Sequence, residues 1–172
     1  MCREMAKTER SAGASLGEIE AVYRQRLAAL RRVATAITGN REAGCDAVQE
    51  AFALAVRQRR QFRRDGNLEA WLWRIVVRSS RDFTRVERRP STPLHGEAVD
   101  RTVDSLGDSG GAVQQLVGEL PDRQRMVLFL RYYADLEYAT IAEALEISSG
   151  TVGATLTQAR DNLRQLMTGV NS

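Results

Sequence analysis

The stretch from Leu120 to Met167 constrains this chain more than any other. Tyr138, Ile141, Ala142 and Leu145 fall at i, i+3, i+4 and i+7, which puts four apolar side chains on one helical face. From about Ser149 a second helix carries Val152, Leu156, Ala159, Leu163 and Leu166 at spacings of 4, 3, 4 and 3, one continuous buried stripe. The turn between them has only three or four residues, and Ala142 is small where two crossing helices approach. That is the form of a helix-turn-helix, whose second helix enters the major groove of duplex DNA. Ser148 or Ser149 is suited to cap this second helix, and no carboxylate stands in its first turn to repel a phosphate. Thr151, Gly153, Ala154, Thr155 and Gln158 are then expected to face the groove. Glu146 runs against the pattern, because the chain leaves the first helix through a left-handed conformation that costs a non-glycine residue about 1 kcal/mol. A plain helical hairpin with a solvated polar face is the competing reading of this stretch.

Charge moves the question to the other half of the chain. The net charge of +3 over 172 residues conceals an asymmetry. Residues 1–90 hold 19 basic against 11 acidic side chains, a net +8, whereas residues 91–172 hold 6 against 11, a net −5. The basic footprint expected of a nucleic-acid binder therefore lies away from the helix-turn-helix. Cys2 and Cys45 are isolated, and the single histidine, His95, has no companion at ligand spacing. Neither a metal site nor a cofactor is expected, and no base–nucleophile pair supports an enzyme. No apolar run approaches membrane-spanning length and the N-terminal residues lack a signal-peptide core, so a cytoplasmic protein without membrane insertion is expected.

Residues 1–15 read as a flexible leader. Ser15 and Glu18 form a capping-box signature, after which Ile19, Val22, Tyr23, Leu27, Leu30, Ala34 and Ile37 keep helical period until Gly39 and Asn40. A second helix, from about Arg41 to Arg60, should bury Val48, Ala51, Phe52, Ala55 and Val56 and present Asp46, Gln49 and Glu50. The Gly-containing basic loop from Phe62 to Asn67 leads into a third helix that must end before Pro90. On that helix Leu68, Leu72, Ile75 or Val76, Ser79 and Phe83 trace one face. Arg74, Arg78, Arg81, Arg85 and Arg88 recur at spacings of 4, 3, 4 and 3 on roughly the opposite one, a rail that could track phosphates. Trp71 and Trp73 stand at its start, where an aromatic can stack on an unpaired base; both being core residues is the alternative. Residues 91–111 have Pro, Gly, Ser and scattered acids without apolar period, which marks a linker. The expected fold is all-α: two small helical domains joined by a flexible acidic linker, at 16–89 and 113–172 with the linker at 90–112.

With both halves read, the chain resembles the extracytoplasmic-function (ECF) sigma factors of bacterial RNA polymerase, within the sigma-70 family. The resemblance rests on DAVQEAFALAV at Asp46–Val56, FRRDGNLEAWLWRIVVRSSRDF at Phe62–Phe83, LPDRQRMVLFLRYYADLEYATIAEAL at Leu120–Leu145 and the SSGTVGATLTQARDNLR that follows. It implies that the first domain binds the RNA polymerase core and captures melted promoter DNA at the minus-ten element. The second would read duplex promoter DNA at the minus-thirty-five element, and an anti-sigma factor would sequester the protein. Carried over, the resemblance puts polymerase contact on Asp46, Gln49, Glu50 and Phe52. Minus-ten DNA falls to Phe62, Arg63, Arg64, Asn67, Trp71, Trp73, Arg74, Arg78, Arg81 and Arg85. Minus-thirty-five DNA falls to Ser149, Thr151, Gly153, Ala154, Thr155, Gln158 and Arg160. Three residues depart from the family pattern: Arg78 where many members have Asn, Gly153 where Lys is common, and Glu146 in place of the turn Gly. A helix-turn-helix transcription regulator that binds DNA without polymerase is the alternative, and stoichiometric binding to core polymerase separates the two.

Overall fold

A computed structural model of the chain describes residues 13–87 and 110–169, and within them the regular structure is helical. Helix α1 (Leu16–Thr38) begins at the capping box: the Ser15 hydroxyl accepts from the Glu18 N–H at 3.2 Å and Glu18 accepts from the Ser15 N–H at 2.8 Å. It ends at Gly39 in the left-handed conformation, φ 75°. Asn40 immediately caps α2 (Arg41–Gln58), accepting from the N–H groups of Glu42 and Ala43. The two helices cross closely at Gly44, where a Cβ would lie 2.7 Å from the Thr35 backbone nitrogen. A single 3₁₀ turn, Arg59–Gln61, leads to the basic loop, and Asn67 caps α3 (Leu68–Glu87) through Glu69 and Ala70.

After the residues between 87 and 110 come α4 (Gly110–Glu119) and α5 (Asp122–Leu128), the latter widening into a π-helical turn at Phe129–Tyr133. The helix-turn-helix is formed by α6 (Tyr138–Leu145) and α7 (Ser149–Gly169). Its turn is Glu146 to Ser148, and Ser148 supplies the cap, its hydroxyl accepting from the Thr151 N–H at 3.1 Å. Glu146 does take the left-handed conformation, φ 56°, as the missing glycine implied.

Three expectations need correcting. Residues 13–15, assigned to the leader, are tied down: the Ala14 N–H donates to the Arg59 carbonyl at 2.8 Å, and Gly13 at φ 108° passes so close that a Cβ would meet that oxygen at 2.5 Å. Helix α4 starts at Gly110, inside the segment read as linker; the rest of that segment, and Arg88, lie outside the described residues. Val56 is exposed rather than buried, because it stands at the edge of the α1–α2 contact. The sequence leaves the relative placement of the two helical groups open, and in the structure they touch. Helix α6 packs on α3 and the π turn packs on α1, so the buried apolar residues form one continuous cluster through Leu30, Val48, Trp73, Leu130, Ile141 and Leu156. Helix α3, packed by α1, α2 and α6, is buried along Ala70, Trp73 and Val77 as well as along Leu72 and Val76, which a single amphipathic stripe did not foretell.

Candidate nucleic-acid and partner interfaces

Three surfaces follow from this arrangement. On α2, Ala47, Val48, Ala51, Phe52 and Ala55 are consumed by the core, and helical geometry turns Asp46, Gln49 and Glu50 outward, where all three are exposed. Glu50 meets Arg57 of the same helix at 2.9 Å. Phe52 is largely buried against Tyr23, edge to face with ring centroids 4.7 Å apart, and with it lines the groove beside this surface. Beside it, Leu16, Ile19, Tyr23 and Val56 line a shallow apolar groove rimmed by Glu20 and Gln49. An acidic, polar ridge next to an apolar groove is suited to a basic amphipathic protein surface.

The second surface is the loop and the α3 rail. Arg63, Arg64 and Asn67 are exposed, whereas Phe62 is buried and tilts against half-buried Trp71 with centroids 5.6 Å apart. Arg64 reaches back to Glu18, both terminal nitrogens lying within 3.2 Å of its carboxylate oxygens. Glu18 thus accepts from the Ser15 backbone, the Ser15 hydroxyl and Arg64, in that order of effect, and its pKa falls from 4.5 to about 2. Trp73 does not form a stacking platform. It is 0% exposed, and its indole N–H donates to Glu69 at 3.3 Å while Arg26 holds the same carboxylate at 2.7 Å. Helix α3 is packed by α1 and α2 as well as by α6, so this indole lies in core rather than on a free face. Of the two indoles only Trp71 keeps an accessible edge.

Arg78, Arg81 and Arg85 are exposed and Arg74 is half-buried. Arg74 lies 3.1 Å from the Glu146 carboxylate and donates to the Glu143 carbonyl at 3.0 Å; Arg81 lies 3.1 Å from Asp122. Arg78 and Arg85 form no ion pair among the described residues. The rail exists as a line of guanidinium groups, and two of them are held by carboxylates of the other helical group.

The third surface is α7. Ser149, Ala154, Gln158 and Arg160 are exposed, while Thr151 and Gly153 are partly so. Thr151 shares its hydroxyl with Ser148 at 2.8 Å, and Gly153 sits beside Tyr138, whose ring is 3.7 Å from where a Cβ would be. Thr155 is buried at 6% exposure, because at 100° per residue it falls on the stripe of Val152, Leu156 and Ala159. It does not face a groove. Arg160 is fixed from outside its own helix: Nε donates to the Tyr132 hydroxyl at 3.0 Å, and the guanidinium carbon is 5.8 Å from the Tyr132 ring centroid. That hydrogen bond raises the Arg160 pKa above its usual value. Neither Tyr132 nor the acidic partners Glu18, Asp122, Glu143 and Glu146 stood out as interface residues in the sequence. Each acts on a residue at least 28 positions away, though Glu18 also closes its own capping box and Asp122 also pairs with Arg125 of its own helix.

Comparison with known proteins gives the family and the fold. A family model described as "Sigma-70 region 2" matches residues 22–90, and one described as "Sigma-70, region 4" matches residues 110–163. The chain is 31% identical over 157 residues to the ECF RNA polymerase sigma factor SigM of Mycobacterium tuberculosis, spanning 87% of this chain and 79% of that one. It is 29% identical over 136 residues to the ECF RNA polymerase sigma-E factor of Escherichia coli, 67% of this chain and 69% of the relative. Among solved structures, CnrH in complex with the cytosolic domain of CnrY superposes with a TM-score of 0.69 at 21% identity, covering 91% of both chains. The sigma factor RpoE of Bartonella quintana, solved with the anti-sigma factor NepR, gives 0.66 at 20% identity over 89% of this chain and 98% of that one. At that identity the two structures speak for the fold.

Proposed function

The chain belongs to the ECF sigma factors of the sigma-70 family, and from that premise we propose that it directs core RNA polymerase to specific promoters, with an anti-sigma factor holding it in check. The observation that carries this is the pairing, on one chain, of an acidic helix face left open at Asp46, Gln49 and Glu50 with a helix-turn-helix at α6–α7. A regulator acting alone has no use for the first. The domain at 16–89 docks on the polymerase through α2 and meets melted minus-ten DNA with Arg63, Arg64, Asn67, Trp71 and the α3 arginines Arg74, Arg78, Arg81 and Arg85. The domain at 113–172 reads the minus-thirty-five duplex with Ser149, Thr151, Ala154 and Gln158, Arg160 contacting the backbone. Two solved relatives are complexes with anti-sigma proteins or, for CnrH, with the cytosolic domain of CnrY, which supports a similar partner here.

Purified protein mixed with core polymerase tests the proposal. A one-to-one complex on gel filtration is expected. Specific binding to a duplex without polymerase, and none to core, would favour the helix-turn-helix regulator instead.

A further inference from the structure

Glu18 closes the capping box of α1, and the same carboxylate does a second task. Oε2 accepts from the Ser15 N–H at 2.8 Å, while the Arg64 guanidinium donates to both oxygens, Nη2 to Oε2 at 3.1 Å and Nη1 to Oε1 at 3.2 Å. This two-point pair joins the first turn of α1 to a residue 46 positions later, in the middle of the loop between Phe62 and Asn67. The chain just before α1 is fastened to the approach of that same loop. Buried Ala14 donates its N–H to the Arg59 carbonyl at 2.8 Å, and Gly13 passes so near that a Cβ would lie 2.6 Å from the Arg60 Cα.

The loop has reason to need a brace. Its ends are fixed, Phe62 by burial against Trp71 and Asn67 by capping α3 through the N–H groups of Glu69 and Ala70. Between them Arg63, Arg64, Asp65 and Gly66 are all exposed, and their backbone closes on itself through the Gly66 N–H, which donates to the Arg63 carbonyl at 3.2 Å. Exposed residues without core contacts open at little cost, so a side chain tied at two points to a capped helix narrows the courses this loop can take.

We infer that residues 13–18 brace the minus-ten loop, with Glu18 as a positioning residue that sets, through Arg64, the course of residues 63–67 over the melted bases. The inference rests on the reading of this loop as part of the minus-ten surface, and goes beyond it by giving a share of base selectivity to a residue that need not touch a base. Because the pair is exposed, its weight in global stability is small. Its effect falls on which loop conformation is populated before DNA arrives, which lowers the ordering that binding must otherwise supply.

Two variants of the full chain separate bracing from folding. Glu18→Gln keeps a side chain that a capping box accepts and removes the charge that holds Arg64. Ser15→Ala weakens the box and leaves the pair with Arg64 in place. Each protein is assembled with core polymerase and given a pool of fluorescent single-stranded oligonucleotides with randomised bases; total binding is measured and the bound fraction is sequenced, with core alone as the baseline. Wild type should enrich a short sequence. In Glu18→Gln that enrichment is expected to fall about two- to fivefold, the range an exposed ion pair supports, while total binding holds or rises because a negative charge has gone from the DNA-facing side. Ser15→Ala should lower the thermal midpoint of the free protein and leave the enrichment at the wild-type level. Unchanged enrichment in Glu18→Gln would overturn the brace. So would a joint loss of enrichment and total binding in Glu18→Gln, or an equal loss of enrichment in Ser15→Ala, since either is what mere misfolding gives. A wild-type holoenzyme that enriches no sequence would instead sink the loop as a reader of bases, and the brace with it.

Discussion

Helices α2 and α3 are neighbours in one three-helix group, yet they meet solvent on opposite terms. On α2 the outward face is acidic and polar, and the ion pair described on it, Glu50 with Arg57, stays within the helix. On α3 the outward face is basic, and Arg74 and Arg81 are bound by carboxylates from another part of the chain. The difference teaches an order of events. A protein partner that docks on α2 finds its surface ready, whereas a nucleic acid that follows α3 finds part of it taken.

The largest effect that bears on this contrast is expected at Trp73. Under the covered side of α3 it is fully buried, so Trp73→Ala should cost about 3–5 kcal/mol of unfolding free energy. Trp71→Ala, at a half-buried ring, should cost much less, and chemical denaturation of both variants measures the gap. Equal small losses would mean that α3 is not covered on that side.

On the open helix, changing Asp46 and Glu50 together to Arg should weaken binding to core polymerase by more than tenfold, about 1.4 kcal/mol or more, with the circular-dichroism spectrum unchanged. Unaltered co-purification would remove α2 from the polymerase interface. Gln158→Ala on α7 is expected to relax base preference at one minus-thirty-five position by about 1–3 kcal/mol, read by competition among variant duplexes in the promoter complex. Thr155→Ala should leave that preference as it is, since Thr155 is buried.

The smallest effect is a titration. Glu18 keeps its charge down to a pKa of about 2 against a usual 4.5. Stability that depends on its bonds is fully present above pH 4.5 and is lost as pH falls toward 2, because the ionised form accepts more strongly from Ser15 and pairs with Arg64. Glu18→Gln should flatten acid unfolding slightly across that window. A wild-type and variant profile that superpose would show the loop anchor to be inconsequential.

Much of this was legible in the chain because it is local. The capping box at Ser15 and Glu18, the glycine stop at Gly39 and the short turn between α6 and α7 all depend on residues within four positions of one another. The left-handed backbone at Glu146 was legible for the same reason. Burial on a second side of α3 was not, because it depends on how α1, α2 and α6, distant in the chain, come to rest on it. Trp73 was therefore offered to DNA and belongs to the core. Thr155 failed differently: its position on the α7 stripe was countable from Val152 and Leu156, but its hydroxyl suggested the polar face. Tyr132 carries no sequence signal for its hold on Arg160, since the π turn that aims it interrupts the period of the helix it ends.

The most direct test is run-off transcription with purified core polymerase on a library of genomic fragments. The expected result is a set of discrete start sites that require this protein and share an upstream sequence. Core alone should lack them, and so should core supplied with the Asp46→Arg, Glu50→Arg double variant. Transcripts that do not change when the protein is added would contradict its assignment as a promoter-directing subunit of the polymerase.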